Sequence, residues 1–230
     1  MAQVYLARVE DSPEKLVAIK TLRVSYIDDK ESVAMFADEM RLTQMLRHTN
    51  IVELVEAGVI EGEPFLVLEF IDGPSLREIH EAHAPEEGPI DVRLTLSLIH
   101  GACLGVHYAH SLEDEWGTRL ELVHRDICPQ NLMVTRKGVV KVLDFGVAKA
   151  VGQKHQTIGR GIKGKMAYAA PEYIKGDVPD QRADVFSLGV VLWELLTNER
   201  LFFRRTAVGT MQAVVYEEAK PPSEHNEAVS

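Results

Sequence analysis

Alternating and β-branched hydrophobic runs dominate the first part of the chain. Residues 4–9 and 16–22 flank a polar turn and predict a β-hairpin, and residues 51–60 and 64–71 predict a second strand pair. Between the two pairs, residues 32–47 have helical spacing. One face of this predicted helix carries Phe36, Glu39, Met40, Thr43 and Leu46. The pattern therefore predicts a small unit built on a sheet, with one long helix.

After Asp72-Gly73-Pro74 the pattern becomes mainly helical, because Gly and Pro interrupt both helices and strands. Asp91 is the predicted N-cap of a helix that reaches about His110, followed by a polar loop over 111–120. Short strands are predicted at 132–135 and 139–143. Residues 184–196 are apolar almost all round, which is typical of a fully buried helix.

Composition and charge narrow the class of protein. The 230 residues are 46% hydrophobic and 26% charged, as in ordinary globular proteins. The formal charge of −10, from 25 basic and 35 acidic residues, argues against a nucleic-acid partner. Cys103 and Cys128 are too few for a disulfide framework and favour a reducing cytoplasm. We expect no signal peptide, since the first ten residues have the alternating pattern of a strand. We expect no membrane segment, since the most apolar helical run, over 185–196, is shorter than the roughly 20 residues that span a bilayer.

A lysine and a glutamate are the first candidates for chemistry. Lys20 ends the apolar run Val17-Ala18-Ile19, and Glu39 lies on the otherwise apolar helix face. Because a buried carboxylate without a partner is costly, Lys20 is its expected partner. Two other interpretations remain open at this point, a solvent-exposed lysine at a strand end and a purely structural salt bridge.

The strongest motif is His124-Arg125-Asp126-Ile127-Cys128-Pro129-Gln130-Asn131, followed by Asp144-Phe145-Gly146. Asp126 is a candidate general base that would accept a proton from an attacking hydroxyl. Asn131 and Asp144 supply the hard oxygen ligands that Mg²⁺ prefers. An acid, an amide and a second acid in this order are what metal-assisted phosphoryl transfer requires.

With Ala170-Pro171-Glu172, these motifs resemble the catalytic domain of protein kinases, most closely the bacterial serine/threonine kinases of eukaryotic type. The resemblance implies an α+β, bilobal fold with a strand-rich N-lobe over 1–71 and a helical C-lobe over 72–230. It implies transfer of the ATP γ-phosphoryl to protein Ser or Thr in bacterial signalling, with Mg²⁺ or Mn²⁺. Small-molecule phosphotransferases lack the Ala-Pro-Glu segment, and the Ala-Ala-Arg catalytic loop of tyrosine kinases is absent here.

The resemblance also implies roles for individual residues. Lys20 and Glu39 would form the ion pair that holds the ATP phosphates. Leu68 would gate the back of the nucleotide pocket, and the backbones of Glu69 and Ile71 would bind the purine. The adenine would lie between Val4, Ala18 and Met133, and a stack of Thr43, Leu54, Phe145 and His124 would connect the helix to the catalytic loop. As an alternative, all of these apolar residues are ordinary core residues.

The segment between Asp144 and Glu172 contains no acidic residue. Its basic residues are Lys149, Lys154, Arg160, Lys163 and Lys165. This composition indicates either a solvated basic loop or an activation segment. In the second case Thr157 would be phosphorylated and Arg125, directly before the base, would bind the phosphate.

Both ends of the chain depart from the kinase pattern. Met1-Ala2-Gln3-Val4 aligns with the tail of the glycine-rich loop, so we expect an N-lobe that lacks its first strand and glycine turn. We expect a C-lobe that lacks its final helices and the Arg that usually pairs with Glu172. A kinase-like binding or regulatory module, or a gene remnant, with weak or no catalysis is therefore the alternative function.

Asp184 is expected either to cap its helix or to bind the backbone of the catalytic loop.

Cys128 stands where serine/threonine kinases usually carry a Lys that contacts the transferred phosphate. The position after Gly164, usually Thr, holds Lys165. The hypothesis is that the cation has moved from the catalytic loop to the substrate floor, because transfer depends on positioning and electrostatics. The alternative is that Lys165 points to solvent.

Overall fold

The computed structural model of the chain describes residues 2–83, 88–145 and 162–229. The β-strands in these ranges are β1 (Ala2–Val9), β2 (Ser12–Leu22), β3 (Leu54–Ile60), β4 (Glu63–Glu69), β5 (Leu132–Val134) and β6 (Val140–Val142). The α-helices are α1 (Lys30–Met45), α2 (Leu76–Ala82), α3 (Val92–His110), α4 (Ile162–Lys165), α5 (Pro171–Lys175), α6 (Arg182–Thr197) and α7 (Ala207–Tyr216). Strands therefore dominate the first part and helices the second, and the predicted α+β class is confirmed.

The first four strands form one antiparallel sheet in the order β1-β2-β4-β3. Lys20 of β2 is paired with Val4 on one side and Leu66 on the other. Ala18, two residues earlier in β2, is paired with Leu68 of β4. Because directly paired residues and alternate residues share a face of a sheet, all of these side chains lie on one face. That face carries the candidate lysine.

Helix α1 packs on the sheet through a mixed face. Asp29 caps it by accepting a hydrogen bond from the backbone N–H of Ser32, so the helix begins at Lys30 rather than at the predicted Ser32. Phe36 is completely buried, and Glu39 is only 8% exposed beside it. The apolar contacts of this face thus fix a carboxylate inside the protein.

The second core lies between α3, α6 and the β5–β6 hairpin. Asp91 caps α3 by accepting from the backbone N–H of Leu94, which confirms the predicted helix to His110. Helix α6 begins at Arg182, and most of its residues are buried as predicted. Val185 is an exception, since 63% of its surface is exposed. No helix in the described parts of the chain is long and apolar enough to cross a membrane.

The predicted strand over 51–60 begins later than the sequence pattern indicates. Its strand geometry starts at Leu54, because the preceding residues pair with β6 instead of β4. Val52 N–H donates to the carbonyl of Val142 at 3.0 Å, and Val142 N–H donates to the carbonyl of Asn50 at 2.8 Å. These residues therefore join the first sheet to the β5–β6 hairpin, which lies between the candidate metal ligands Asn131 and Asp144 in the chain.

Candidate active site

Lys20 lies at the centre of the candidate site. Its Nζ atom donates to Glu39 Oε1 at 2.5 Å and to Asp144 Oδ1 at 2.7 Å. The side chains of Lys20 and Glu39 are 8% and 11% exposed, whereas that of Asp144 is 45% exposed. The lysine is therefore not a solvent-exposed strand end. It connects β2, α1 and the segment after β6 through two carboxylates, of which the sequence indicated only Glu39.

The two acids favour the charged form of Lys20, whereas burial and, to a smaller extent, Asp144 raise the pKa of Glu39 in spite of its contact with Lys20. Burial acts to lower the pKa of Lys20, but Asp144 and Glu39 outweigh it and raise that pKa above its ordinary value. The ammonium thus stays charged at neutral pH. A buried cation held by two acids is a preorganised point of positive charge.

The loop that carries Asp126 is anchored by Asp184 from beneath. Asp184 is completely buried and accepts hydrogen bonds from the backbone N–H groups of His124 at 2.7 Å and Arg125 at 2.8 Å. Nε2 of His110 lies 2.8 Å from the same carboxylate. The N-cap of α6 is Gln181, so Asp184 is not a cap. Of the two expected roles of Asp184, the structure shows binding to the loop backbone.

Asp126, Asn131 and Lys165 meet at one carboxylate. Lys165 Nζ lies 2.6 Å from Asp126 Oδ2, and Asn131 Nδ2 lies 3.1 Å from the same oxygen. Burial acts to lower the pKa of Lys165, but Asp126 outweighs it and raises that pKa. Lys165 is therefore directed at the candidate base and not only at solvent. Helix α4 brings it there from a distant part of the sequence.

His124 and Phe145 pack together under this cluster, with ring centroids 4.6 Å apart. The backbone N–H of Asp126 donates to His124 Nδ1 at 3.2 Å, so Nε2 carries the proton and donates to the carbonyl of Leu143 at 2.8 Å. Arg125 and Asp144 have φ angles of 62° and 49°, in the left-handed region that non-glycine residues rarely adopt. Strain of this kind is typical of functional sites.

The residues present fit a divalent metal ion. Both hydrogens of the Asn131 side-chain amide are used, because Nδ2 donates to the backbone carbonyl of Asp126 at 2.8 Å and to its carboxylate. This fixes Asn131 Oδ1 as the acceptor end of the side chain. Asp144 uses Oδ1 for Lys20 and retains a second carboxylate oxygen. Asn131 and Asp144 would thus offer Mg²⁺ the oxygen ligands it prefers.

Of the predicted purine-binding residues, Val4, Ala18 and Leu68 lie on the face of the sheet that carries Lys20. Ala18, Met133 and Leu68 belong to the apolar cluster beneath β2 and β4, whereas Val4 is 61% exposed. Leu68 also lines a small cavity with Glu39, Thr43 and Phe145. The backbone N–H of Ile71 makes no hydrogen bond to the described part of the chain, which leaves it available to a ligand.

The described parts of the chain also contain a partly buried ion pair at Lys141 and a buried network at Glu194 that were not predicted. Lys141 Nζ binds the Glu69 carboxylate at 2.5 Å, although Glu69 was singled out only for its backbone. Glu194 is 2% exposed and accepts from Tyr168 Oη at 2.7 Å and from Arg200 Nε at 3.1 Å. An acid inside the apolar run of α6 was the available signal, since a buried carboxylate requires partners.

Several predicted features lie outside the described residues, among them Thr157, Gly146, Lys149, Lys154 and Arg160. Arg125 is described, and its Nε atom is buried without a hydrogen-bond partner in the described ranges. Glu172 is only partly buried, so the full cost expected for a buried, unpaired carboxylate does not apply.

The comparisons with known proteins agree with this geometry. The model of the protein kinase domain family matches residues 1–229. The chain belongs to the protein kinase family. The bilobal kinase fold expected from the motifs is thereby confirmed.

Curated kinases from bacteria are among the similar proteins. The tyrosine-protein kinase MasK of Myxococcus xanthus (strain DK1622) is 38% identical over 226 residues, which are 97% of this chain and 35% of MasK. The serine/threonine-protein kinase PknB of Mycobacterium leprae (strain TN) is 32% identical over 235 residues, covering 100% of this chain and 36% of PknB. PknB of Mycobacterium tuberculosis (strain ATCC 25618 / H37Rv) is 33% identical over 236 residues, with the same coverage. The chain thus spans about a third of the length of these relatives.

Proposed function

We propose that this kinase chain transfers the γ-phosphoryl group of ATP to Ser or Thr hydroxyls of proteins. The observation that carries the proposal is the position of Lys20, held between Glu39 at 2.5 Å and Asp144 at 2.7 Å. In kinases the Lys–Glu pair and the metal-binding acid must be in place together for transfer. The proposed cleft lies between an N-lobe over 1–71 and a C-lobe over 72–230.

Each group has a proposed role in one displacement. Asp126 accepts the proton of the substrate hydroxyl, whose oxygen forms a bond to the γ-phosphorus while the bond to the bridging oxygen of ADP breaks. Lys20 binds the α- and β-phosphates. Asn131 and Asp144 would hold the divalent ion, Mg²⁺ or Mn²⁺, and charge on the phosphate oxygens would be neutralised when that ion is bound. His124 and Asp184 hold the loop so that Asp126 keeps its position.

Two observations support a Ser or Thr acceptor and a cytoplasmic setting. The PknB relatives are named serine/threonine kinases, and the Ala-Ala-Arg loop of tyrosine kinases is absent from 124–131. MasK, by contrast, is named a tyrosine kinase. Cys103 and Cys128 are free thiols, which favours a reducing compartment that supplies ATP. Phosphorylation of Thr157, with Arg125 as its binding partner, is the proposed activating modification.

The test is incorporation of label from [γ-³²P]ATP into the kinase chain and into dephosphorylated casein, with Mg²⁺ or Mn²⁺. Asp126→Asn and Asp144→Asn are the matched controls, because each removes one charge and keeps the shape. We expect label in the wild type only, and phosphoserine or phosphothreonine after acid hydrolysis. Phosphotyrosine alone would contradict the proposed acceptor. Wild-type label no higher than in both controls, together with Mg·ATP binding, would favour a kinase-like binding module.

A further inference from the structure

Two positions near the candidate base depart from the residue types expected there, since position 128 holds Cys instead of Lys and position 165 holds Lys instead of Thr. Cys128 follows Asp126 in the catalytic loop and is 1% exposed, in the apolar core. Lys165 is 39% exposed and reaches Asp126 Oδ2 from α4 at 2.6 Å. The two residues therefore flank the same carboxylate from different segments of the chain.

We propose that Lys165 is a positioning residue that supplies the positive charge beside Asp126. Position 128 carries a small, uncharged residue because Lys165 already fills the space beside this carboxylate and supplies its positive charge. A lysine can then work at either position, but not at both together. The proposal rests on the proposed kinase activity and deepens it.

The electrostatics of the cluster require a cation at this point. Asp126 and Asp144 are both acidic, and a triphosphate adds further negative charge. Lys20 is already held by Glu39 and Asp144. Asn131 contributes only a neutral amide to Asp126. Lys165 therefore places a positive charge in direct contact with the base, and fixed charges of this kind are effective because they need no reorganisation during transfer.

The burial of Cys128 explains the second half of the proposal. The Cys128 side chain is packed in the apolar core, and a small thiol leaves the space beside the Asp126 carboxylate to Lys165. With Lys165 in place, a lysine at position 128 would add a second ammonium beside the first, and the repulsion between like charges opposes that arrangement.

The experiment is a double-mutant cycle on the full chain, with Lys165→Thr, Cys128→Lys and the variant carrying both. Rates of γ-phosphoryl transfer to casein are measured, and thermal unfolding checks that each variant is folded. We expect Lys165→Thr to lower kcat by about 100-fold with little change in KM for ATP. Cys128→Lys alone should also lower kcat. The double variant should have a kcat at least about tenfold higher than that of Lys165→Thr, because the two sites are coupled.

Two controls separate positioning from structure. Lys165→Arg should retain most of the activity because it keeps the charge, and Lys175→Thr, an exposed lysine of α5, should match the wild type. A double variant no faster than Lys165→Thr, or a Lys165→Thr variant as fast as the wild type, would overturn the inference while leaving the kinase proposal intact. A wild type without activity would overturn both.

Thiol labelling gives a readout that does not depend on activity. In a Cys103→Ser background, which removes the exposed thiol, iodoacetamide can label only Cys128. Because Lys165 flanks the same carboxylate, its replacement by Thr should open the site and speed native-state labelling several-fold, whereas Lys175→Thr should not. Equal labelling rates in the folded Lys165→Thr and Lys175→Thr proteins would contradict the proposed exclusion of space.

Discussion

The ion pairs of Lys20 allow stability and activity to be separated. Glu39→Gln removes the buried negative charge and keeps the shape of the side chain. At the observed 2.5 Å, Coulomb's law with an effective dielectric constant of about 20 gives an attraction of about 7 kcal/mol. Most of this is offset by desolvation, and breaking a buried pair typically costs about 3–5 kcal/mol. Because Lys20 keeps Asp144 at 2.7 Å, we expect a loss near the lower limit, about 3 kcal/mol.

Asp144→Asn is the matched comparison on the same lysine. The Asp144 side chain is 45% exposed, so solvent screens its attraction and we expect a loss of about 1 kcal/mol or less. Both variants should lose phosphoryl transfer, since both groups contact Lys20. The free energy of unfolding is measured by urea titration, with Glu31→Gln, an exposed acid of α1, as the control. Equal losses for Glu39→Gln and Asp144→Asn, or a Glu39→Gln loss no larger than that of Glu31→Gln, would refute the reasoning.

Three further predictions concern the framework of the site. Asp184→Asn should cost about 3 kcal/mol in urea unfolding, because the backbone N–H groups of His124 and Arg125 bind different carboxylate oxygens and the amide nitrogen would face one of these donors; a loss under 1 kcal/mol would contradict its anchoring role. Gly73→Ala should cost at least about 2 kcal/mol by the same measurement, because a Cβ atom there would lie 1.8 Å from the Val134 carbonyl. Burial lowers the pKa of the His124 imidazole below its ordinary 6.5. As the pH drops, the imidazole is therefore protonated in the unfolded chain before it is protonated in the folded one. The free energy of unfolding should thus fall below about pH 6.5. His124→Phe should reduce that slope by up to about 1.4 kcal/mol per pH unit, and an unchanged slope would contradict the assignment.

The identities of the chemical groups could be predicted from the sequence, because kinase motifs are local. His124 to Asn131 and Asp144-Phe145 are short runs whose residue types alone indicate phosphoryl transfer. The helix from Val92 to His110 was predicted together with its cap, since hydrophobic periodicity and an N-terminal Asp are also local signals. The start of β3 was predicted less well, because Ile51 pairs with β6, and such pairing depends on a strand far away in the chain.

Only the tertiary structure decided which groups meet. The sequence left two roles open for Asp184, and the fold places its carboxylate under the catalytic loop, where backbone N–H groups need an acceptor. From the sequence, Lys165 could either point to solvent or act beside the base, and the fold brings its ammonium to Asp126 from a separate segment. The sequence indicated one partner for Lys20, whereas the packing of the β5–β6 hairpin against the sheet adds Asp144 as a second. The physical reason is the same in each case: the cost of burying a charge is visible in the sequence, but its partner is chosen by the packing of segments that are distant along the chain.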